Sequence, residues 1–187
     1  GLYVELKAPN LHLKSGMDIT AAVLEVLAEK GYADRPGQVF LQCFDGPTLR
    51  RLRHEIGTPL PLIQLIGENS WGEDTESDYN HLRSAEGLAE VATYADGIGP
   101  WLNQIYLGRD AAGGIMLSDL AATARALGLL VHPYTFRRDE LPTGVSSFSE
   151  LLDIFFRQAG VDGVFTDFPD IVCQYLRTLS DTGSTPR

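Results

Sequence analysis

The sequence holds only two cysteines, Cys43 and Cys173, far apart and each inside an apolar run. Such a pair offers no disulfide framework and reads as two buried free thiols, with a single bridge left open. Basic residues are scarce: 15 Lys and Arg stand against 25 Asp and Glu, for a formal net charge of -10. No Lys/Arg cluster stands out, which argues against a nucleic-acid surface, because phosphate backbones are held by such clusters. The bulk field also repels anionic substrates, so a phosphate ester would need a bound metal or a local Lys to reverse it at the site. No run is long and apolar enough for a membrane span. No G-x-G-x-x-G or P-loop follows any strand-like run, which argues against an open nucleotide-binding sheet. The four histidines, His12, His54, His81 and His132, show neither H-x-x-x-H spacing nor a Ser-His-Asp order. A leading Met and a signal segment are also missing. Gly1 opens directly inside a strand-like run, so upstream sequence is expected, and with it any targeting signal.

What is present is ordinary for a globular chain, with 44% hydrophobic residues over 187 positions. Leu2–Lys7 reads as a short buried strand broken by Pro9. Glu5 and Lys7 share one face and Val4 and Leu6 the other, because side chains alternate along a strand. Glu5 and Lys7 suit a site for a cation and an anionic substrate, and equally a structural ion pair or a solvated edge. Asp18 caps a helix with apolar residues Ile19, Ala22, Val23, Val26 and Leu27, closed by Gly31. Strand 38–44 follows, then a helix capped by Asp45 with Pro47 in its first turn, then strand 61–66. Residues 67–83 are acidic and lack apolar periodicity, with Trp71 and Tyr79 among carboxylates. They read as a mobile flap or as solvated disorder. Further elements are a helix over 84–94, a short strand over 96–100, a helix over 117–127 and a strand over 129–136. A Ser147–Glu150 capping box opens the next helix. A strand over 163–167 and a helix from Pro169 to about Arg177 complete the pattern, and 179–187 reads as a disordered tail.

Alternation of strand and helix about six times predicts an α/β fold with a parallel sheet. A (β/α)8 barrel of the TIM type fits, incomplete here, because a closed barrel takes eight strands and about 250 residues. The expected domain is 1–178. Function in such a barrel sits at the carboxyl ends of the strands, which here carry Glu5, Lys7, Gln42, Phe44, Gln64, Trp101, Tyr134, Phe136, Thr166 and Asp167. Lys7 suits a phosphate oxygen and Glu5 a hard divalent cation. Gln42, Phe44, Tyr134 and Phe136 are candidates for walling a substrate, or for closing the core. Asp167 fits a turn and helix cap better than a metal ligand, and His132 a hydrogen-bonded core position.

Six stretches in matching order, namely residues 3–9, 40–45, 64–66, 94–100, 131–137 and 163–169, resemble the bacterial periplasmic glycerophosphodiester phosphodiesterases from Gly1 to about Leu176. The resemblance implies a (β/α)8 barrel. It also implies hydrolysis of deacylated phospholipids such as glycerophosphocholine and glycerophosphoethanolamine to sn-glycerol 3-phosphate and an alcohol. A divalent ion is implied as well, usually calcium with magnesium possible, and so is a periplasmic or secreted location. Glu5 matches the family's metal-ligand glutamate and Lys7 its phosphate-facing lysine. The family's His-Arg-Gly, its Glu-x-Asp pair and its second catalytic histidine find no match here.

The chain is therefore expected to be the later part of such an enzyme and inactive alone. A non-catalytic partial barrel and a phosphoinositide-type phosphodiesterase are the competing readings. An incomplete barrel also leaves sheet edges open, at 2–6 and 163–167, which predicts self-association or a deformed sheet.

Overall fold

The computed structural model describes residues 1–73 and 75–181. The domain expected over 1–178 divides into two compact units, residues 1–98 with 127–129 and residues 99–126 with 130 onward.

The first unit is a parallel sheet with helices between its strands. Its strands are β1 (Leu2–Glu5), β2 (Val39–Cys43), β3 (Leu62–Ile66) and the start of β4 (Gly97–Pro100). β1 pairs with β2 in parallel, with Leu2 opposite Val39 and Glu5 opposite Gln42, and β2 pairs in parallel with β3. β1 ends at Glu5, short of the expected Lys7. Ala8 turns into the left-handed region (φ 48°), and Pro9 starts a helix, α1 (Pro9–Lys14), that the sequence reading leaves as loop. His12 therefore sits on a helix. Proline pre-sets the first helical turn, which the short apolar period of this stretch does not reveal.

α2 (Ile19–Glu29) is capped as expected: the Asp18 carboxylate accepts a hydrogen bond from Ala21 N at 3.1 Å, and Gly31 follows in the left-handed conformation. α3 (Gly46–Arg50) follows Asp45 and widens into a π-helical stretch over Arg51–Ile56 that stops at left-handed Gly57. The core between sheet and helices is Leu41, Cys43, Leu49, Leu52, Leu62 and Ile66, all fully buried. α4 (Tyr79–Leu82) and α5 (Ala85–Val91) meet so closely that a Cβ on Gly87 would lie 2.0 Å from the His81 carbonyl oxygen, so only glycine fits there.

In the second unit the parallel pattern thins to single bridges. Trp101 bridges Tyr134 and Phe136 bridges Thr166, both in parallel. The strand expected over 129–136 is reduced to β7 (Leu130–Val131), because Pro133 has no N–H to give a ladder. The strand expected over 163–167 is only the bridge at Thr166.

A hairpin not read from the sequence occupies β5 (Tyr106–Arg109) and β6 (Ile115–Leu117), so Leu117 lies on a strand and the helix, α6, is Leu120–Ala126. The Asp110 carboxylate forms its turn by accepting from Ala112 N and Gly114 N, both at 2.8 Å. α7 (Phe148–Asp153) starts at Ser147, whose hydroxyl accepts from Glu150 N at 3.1 Å. The return half of the capping box is absent, since the Glu150 carboxylate takes Ser146 N at 2.7 Å and Arg109 instead.

α8 (Pro169–Asp181) runs past Arg177 into the expected tail, whose residues 182–187 lie outside the described residues. Cys43 is buried as expected, but Cys173 on α8 is exposed: the helical register turns it outward. Among the described residues no helix is long and apolar enough to cross a membrane.

The second unit's core centres on Phe136 and Phe155, both fully buried, with rings 4.7 Å apart edge to face. Phe155→Ala is expected to cost about 3–5 kcal/mol in chemical denaturation, and Met116→Ala, on the exposed side of β6, less than about 1 kcal/mol.

Candidate functional site

In-register residues of a parallel pair project to the same side of the sheet, so β1 and β2 build a ladder of facing side chains. Its first rung is Tyr3 with Phe40, stacked at 4.9 Å and 9°. The next is Glu5 with Gln42. Lys7 and Phe44 follow beyond the strand ends, Lys7 exposed and Phe44 half-buried. The alternate residues Leu6, Leu41 and Cys43 belong to the core. The Cys43 thiol donates to the Leu6 carbonyl at 3.1 Å, and burial pushes its pKa up to about 12, so it is a structural thiol rather than a nucleophile.

Four of the six sequence-predicted residues thus lie at the carboxyl end of one strand pair. Among the described residues neither Glu5 nor Lys7 makes a side-chain hydrogen bond or an ion pair, so the structural ion-pair reading falls away. Gln42 is 8% exposed and, among the described residues, its Oε1 is buried without a partner. An orphaned acceptor of this kind costs about 1–3 kcal/mol, and a donor brought by a ligand would recover it.

Immediately after Phe44, Asp45 is 1% exposed and does more than cap α3. One carboxylate oxygen accepts from Thr48 N at 2.9 Å and Thr48 Oγ1 at 2.7 Å. The other accepts from Asn10 Nδ2 at 3.2 Å and Thr75 Oγ1 at 2.9 Å. Ser77 Oγ adds to the junction by accepting from Gly46 N at 2.9 Å.

The acidic stretch 67–83, expected as a flap or as disorder, is therefore tied to the end of β2. It also carries a 3-10 turn at Asn69–Trp71, α4, and an Arg83–Glu68 ion pair at 2.8 Å. Thr75, Ser77 and Asn10 were missed because single polar residues in loops carry no periodic signal. Gln64, at the end of β3, is spent on structure: its amide donates to the Phe44 carbonyl and its oxygen accepts from Tyr94, both at 2.9 Å.

In the second unit Tyr134 is half-buried, whereas Phe136 is core and walls no open space. A hydrophobic ring on a buried strand end looks the same in sequence whether it faces a ligand or a second ring. Asp167 pairs with Arg137 at 2.8 Å, and the cap expected of it comes from Thr166, whose hydroxyl accepts from Phe168 N at 2.9 Å. His132 is half-buried, and this burial holds its pKa below the usual histidine range against the opposing pull of Asp162. His54 is exposed and His81 pairs with Glu90 at 3.0 Å.

The model of the glycerophosphoryl diester phosphodiesterase family matches residues 1–171. The chain belongs to that family.

It is similar to a glycerophosphodiester phosphodiesterase of Haemophilus influenzae, 35% identical over 96% of this chain and 53% of that protein. It is similar to one of Treponema pallidum, 32% identical over 94% of this chain and 53% of that protein. The chain thus spans about half the length of these relatives. Two crystal structures of candidate glycerophosphoryl diester phosphodiesterases share the fold. One is from Silicibacter pomeroyi, with a TM-score of 0.54 at 22% identity, covering 91% of this chain and 46% of that one. The other is from Agrobacterium tumefaciens, with a TM-score of 0.58 at 19% identity, covering 96% and 58%. The α/β parallel sheet is of the TIM-barrel kind these structures have.

A family cation would find hard oxygen donors of the right type in Glu5 and in the orphaned Gln42 oxygen. Their number falls short of the six or so a calcium or magnesium ion takes, and among the described residues no group of three or more ligating side chains exists. This chain alone does not fit the ion.

Asp45→Ala is expected to lower stability by about 2–3 kcal/mol and to open residues 67–83 to limited proteolysis, because it strands four donors at once. Asp45→Asn, which keeps half of the acceptor capacity, should do less on both counts.

Proposed function

We propose that this chain is the later part of an enzyme that hydrolyses glycerophosphodiesters, such as glycerophosphocholine and glycerophosphoethanolamine, to sn-glycerol 3-phosphate and an alcohol. The observation that carries the reading is the Glu5–Gln42 rung with Lys7 beyond it, at the carboxyl end of a parallel strand pair in a member of this family. Water adds its oxygen to phosphorus, the bond from phosphorus to the alcohol oxygen breaks, and the alcohol leaves with a proton. The Lys7 ammonium places positive charge against a phosphoryl oxygen as negative charge builds there, within a chain whose net charge is otherwise unfavourable to an anion. The Gln42 oxygen accepts a hydrogen bond from a glycerol hydroxyl, and Phe44 walls the substrate carbon chain.

A divalent cation, calcium or magnesium, would polarise the phosphate when bound. Glu5 would be one of its ligands, and the others would come from outside this chain. The acid–base groups are likewise assigned to the rest of the parent protein. In that protein this chain supplies about six of eight β/α units, and it works in the periplasm or outside the cell. This chain alone is then inactive.

The test is glycerol 3-phosphate release from glycerophosphocholine by the parent protein and by this chain, each with calcium and with chelator. Expected are calcium-dependent release by the parent, none by the chain, and a loss of about 100-fold or more in kcat/KM for parent Lys7→Ala. Unchanged activity in both Lys7→Ala and Glu5→Gln would overturn the reading.

One further observation favours self-association of the isolated chain. Among the described residues β1 is paired along one side only, by β2, and a free strand edge is a template for another chain. Sedimentation velocity is expected to find dimers or larger species at micromolar concentration, reduced by Tyr3→Pro on β1. A monomer throughout would refute it.

A further inference from the structure

Lys7 lies just past the last residue of β1, and the chain is held on both sides of it. On the near side, Leu6 N donates to the Gln42 carbonyl at 2.9 Å, and the Leu6 carbonyl accepts from the Cys43 thiol at 3.1 Å. On the far side, Ala8 stands at φ 48° and ψ 53°. Among the described residues it is the one non-glycine residue with a positive φ. That conformation is unfavourable twice over. A Cβ is crowded in the left-handed region, and a following proline pushes its predecessor toward extended backbone. Such a residue persists where its surroundings over-determine it.

The surroundings here are the buried Pro9 and the Asn10 side chain, whose Nδ2 donates to Asp45 Oδ1 at 3.2 Å. Asp45 is a fixed point, because it is 1% exposed and its other oxygen takes both the amide and the hydroxyl of Thr48. It follows β2 after a single residue, Phe44. Both anchors of Lys7 therefore belong to one strand end: Gln42 and Cys43 hold the residue before it, and Asp45 holds the turn after it. A lysine ammonium rides on a flexible four-carbon stem, so the placement of its backbone sets which oxygen it reaches. A misplacement of about 1 Å at a reacting group costs about 100-fold in rate.

Resting on the role proposed for Lys7, we propose that Asn10 is a positioning residue for that lysine. Its bond to Asp45 keeps the strained turn at Ala8 closed and so fixes Lys7 against the end of β2. Asn10 acts through Lys7 and needs no contact with substrate. Pro9 remains packed when Asn10 is lost, so the effect is smaller than the loss of Lys7 itself. A side chain that merely fastened α1 would change stability and leave the contribution of Lys7 intact.

Two measurements test this. In the present chain, amide relaxation by NMR is expected to find Lys7 as ordered as β1, with an order parameter of about 0.85. In N10A the value for Lys7 is expected to fall toward about 0.6 while that of Leu6 holds. S15A removes a hydroxyl that donates to the Leu11 carbonyl at 3.0 Å, farther along the same helix, and should leave Lys7 unchanged. In the parent protein, N10A is expected to lower kcat/KM for glycerophosphocholine about 10-fold and K7A about 100-fold. The N10A/K7A double variant should fall no more than about 2-fold below K7A, because the two residues act as one.

An unchanged Lys7 amide in N10A, or a loss in N10A that adds in full to that of K7A, overturns the proposal and keeps the proposed function. Full activity in K7A overturns both. A Lys7 amide loosened by N10A in a parent that hydrolyses no glycerophosphodiester keeps the positioning of Lys7 and fails the function.

Discussion

The parallel register between β1 and β2 governs what the first unit can do. Glu5 stands opposite Gln42, and the period of two along each strand sends Leu6, Leu41 and Cys43 to the other side, into the core. A slip of one residue would bury Glu5 and Lys7 among leucines and turn Cys43 outward. The cost of burying those charges is what holds the register. The same constraint explains why Gln42 can keep an orphaned oxygen: its position is dictated by the ladder and the core behind it, not by its own hydrogen bonds.

A second constraint grows directly from the end of that ladder. Asp45 gathers four donors from α1, the first turn of α3 and the acidic stretch, so one buried carboxylate fixes the geometry of three loops around the strand ends. The acidic stretch then leaves Glu73 and Glu76 exposed while its Thr75 hydroxyl donates to Asp45. Packing and charge are thereby divided between two sets of side chains in one segment. Among the described residues no group of three or more ligating side chains could hold a metal ion, so a divalent cation would need ligands beyond Glu5.

Much of the architecture was legible in the sequence because its signals are local. Asp18, Asp45 and Ser147 announce their helices through capping chemistry that needs only the next three residues. The strands β1 to β4 stand out as short apolar runs between turns. The failures are also physical. Residues 129–136 look like a strand by composition, but Pro133 removes a donor, and only the two-residue β7 and isolated bridges remain. The β5–β6 hairpin rests on an aspartate-anchored glycine turn between runs too short to show alternation. Phe136 is a candidate for walling a substrate or for closing the core, and it closes the core because Phe155, distant in sequence, packs against its ring.

The sequence by itself determined the α/β class, the capped starts of α2, α3 and α7, and the acidic excess, since composition and capping are properties of neighbouring residues. Only the tertiary structure decided that Glu5 stands opposite Gln42, that among the described residues Gln42 and Tyr79 bury unpartnered oxygens, and that Asp45 ties the acidic stretch to the end of β2. Those outcomes depend on which distant segments meet. Strand pairing and core burial across the whole chain set that, and no local spacing encodes it.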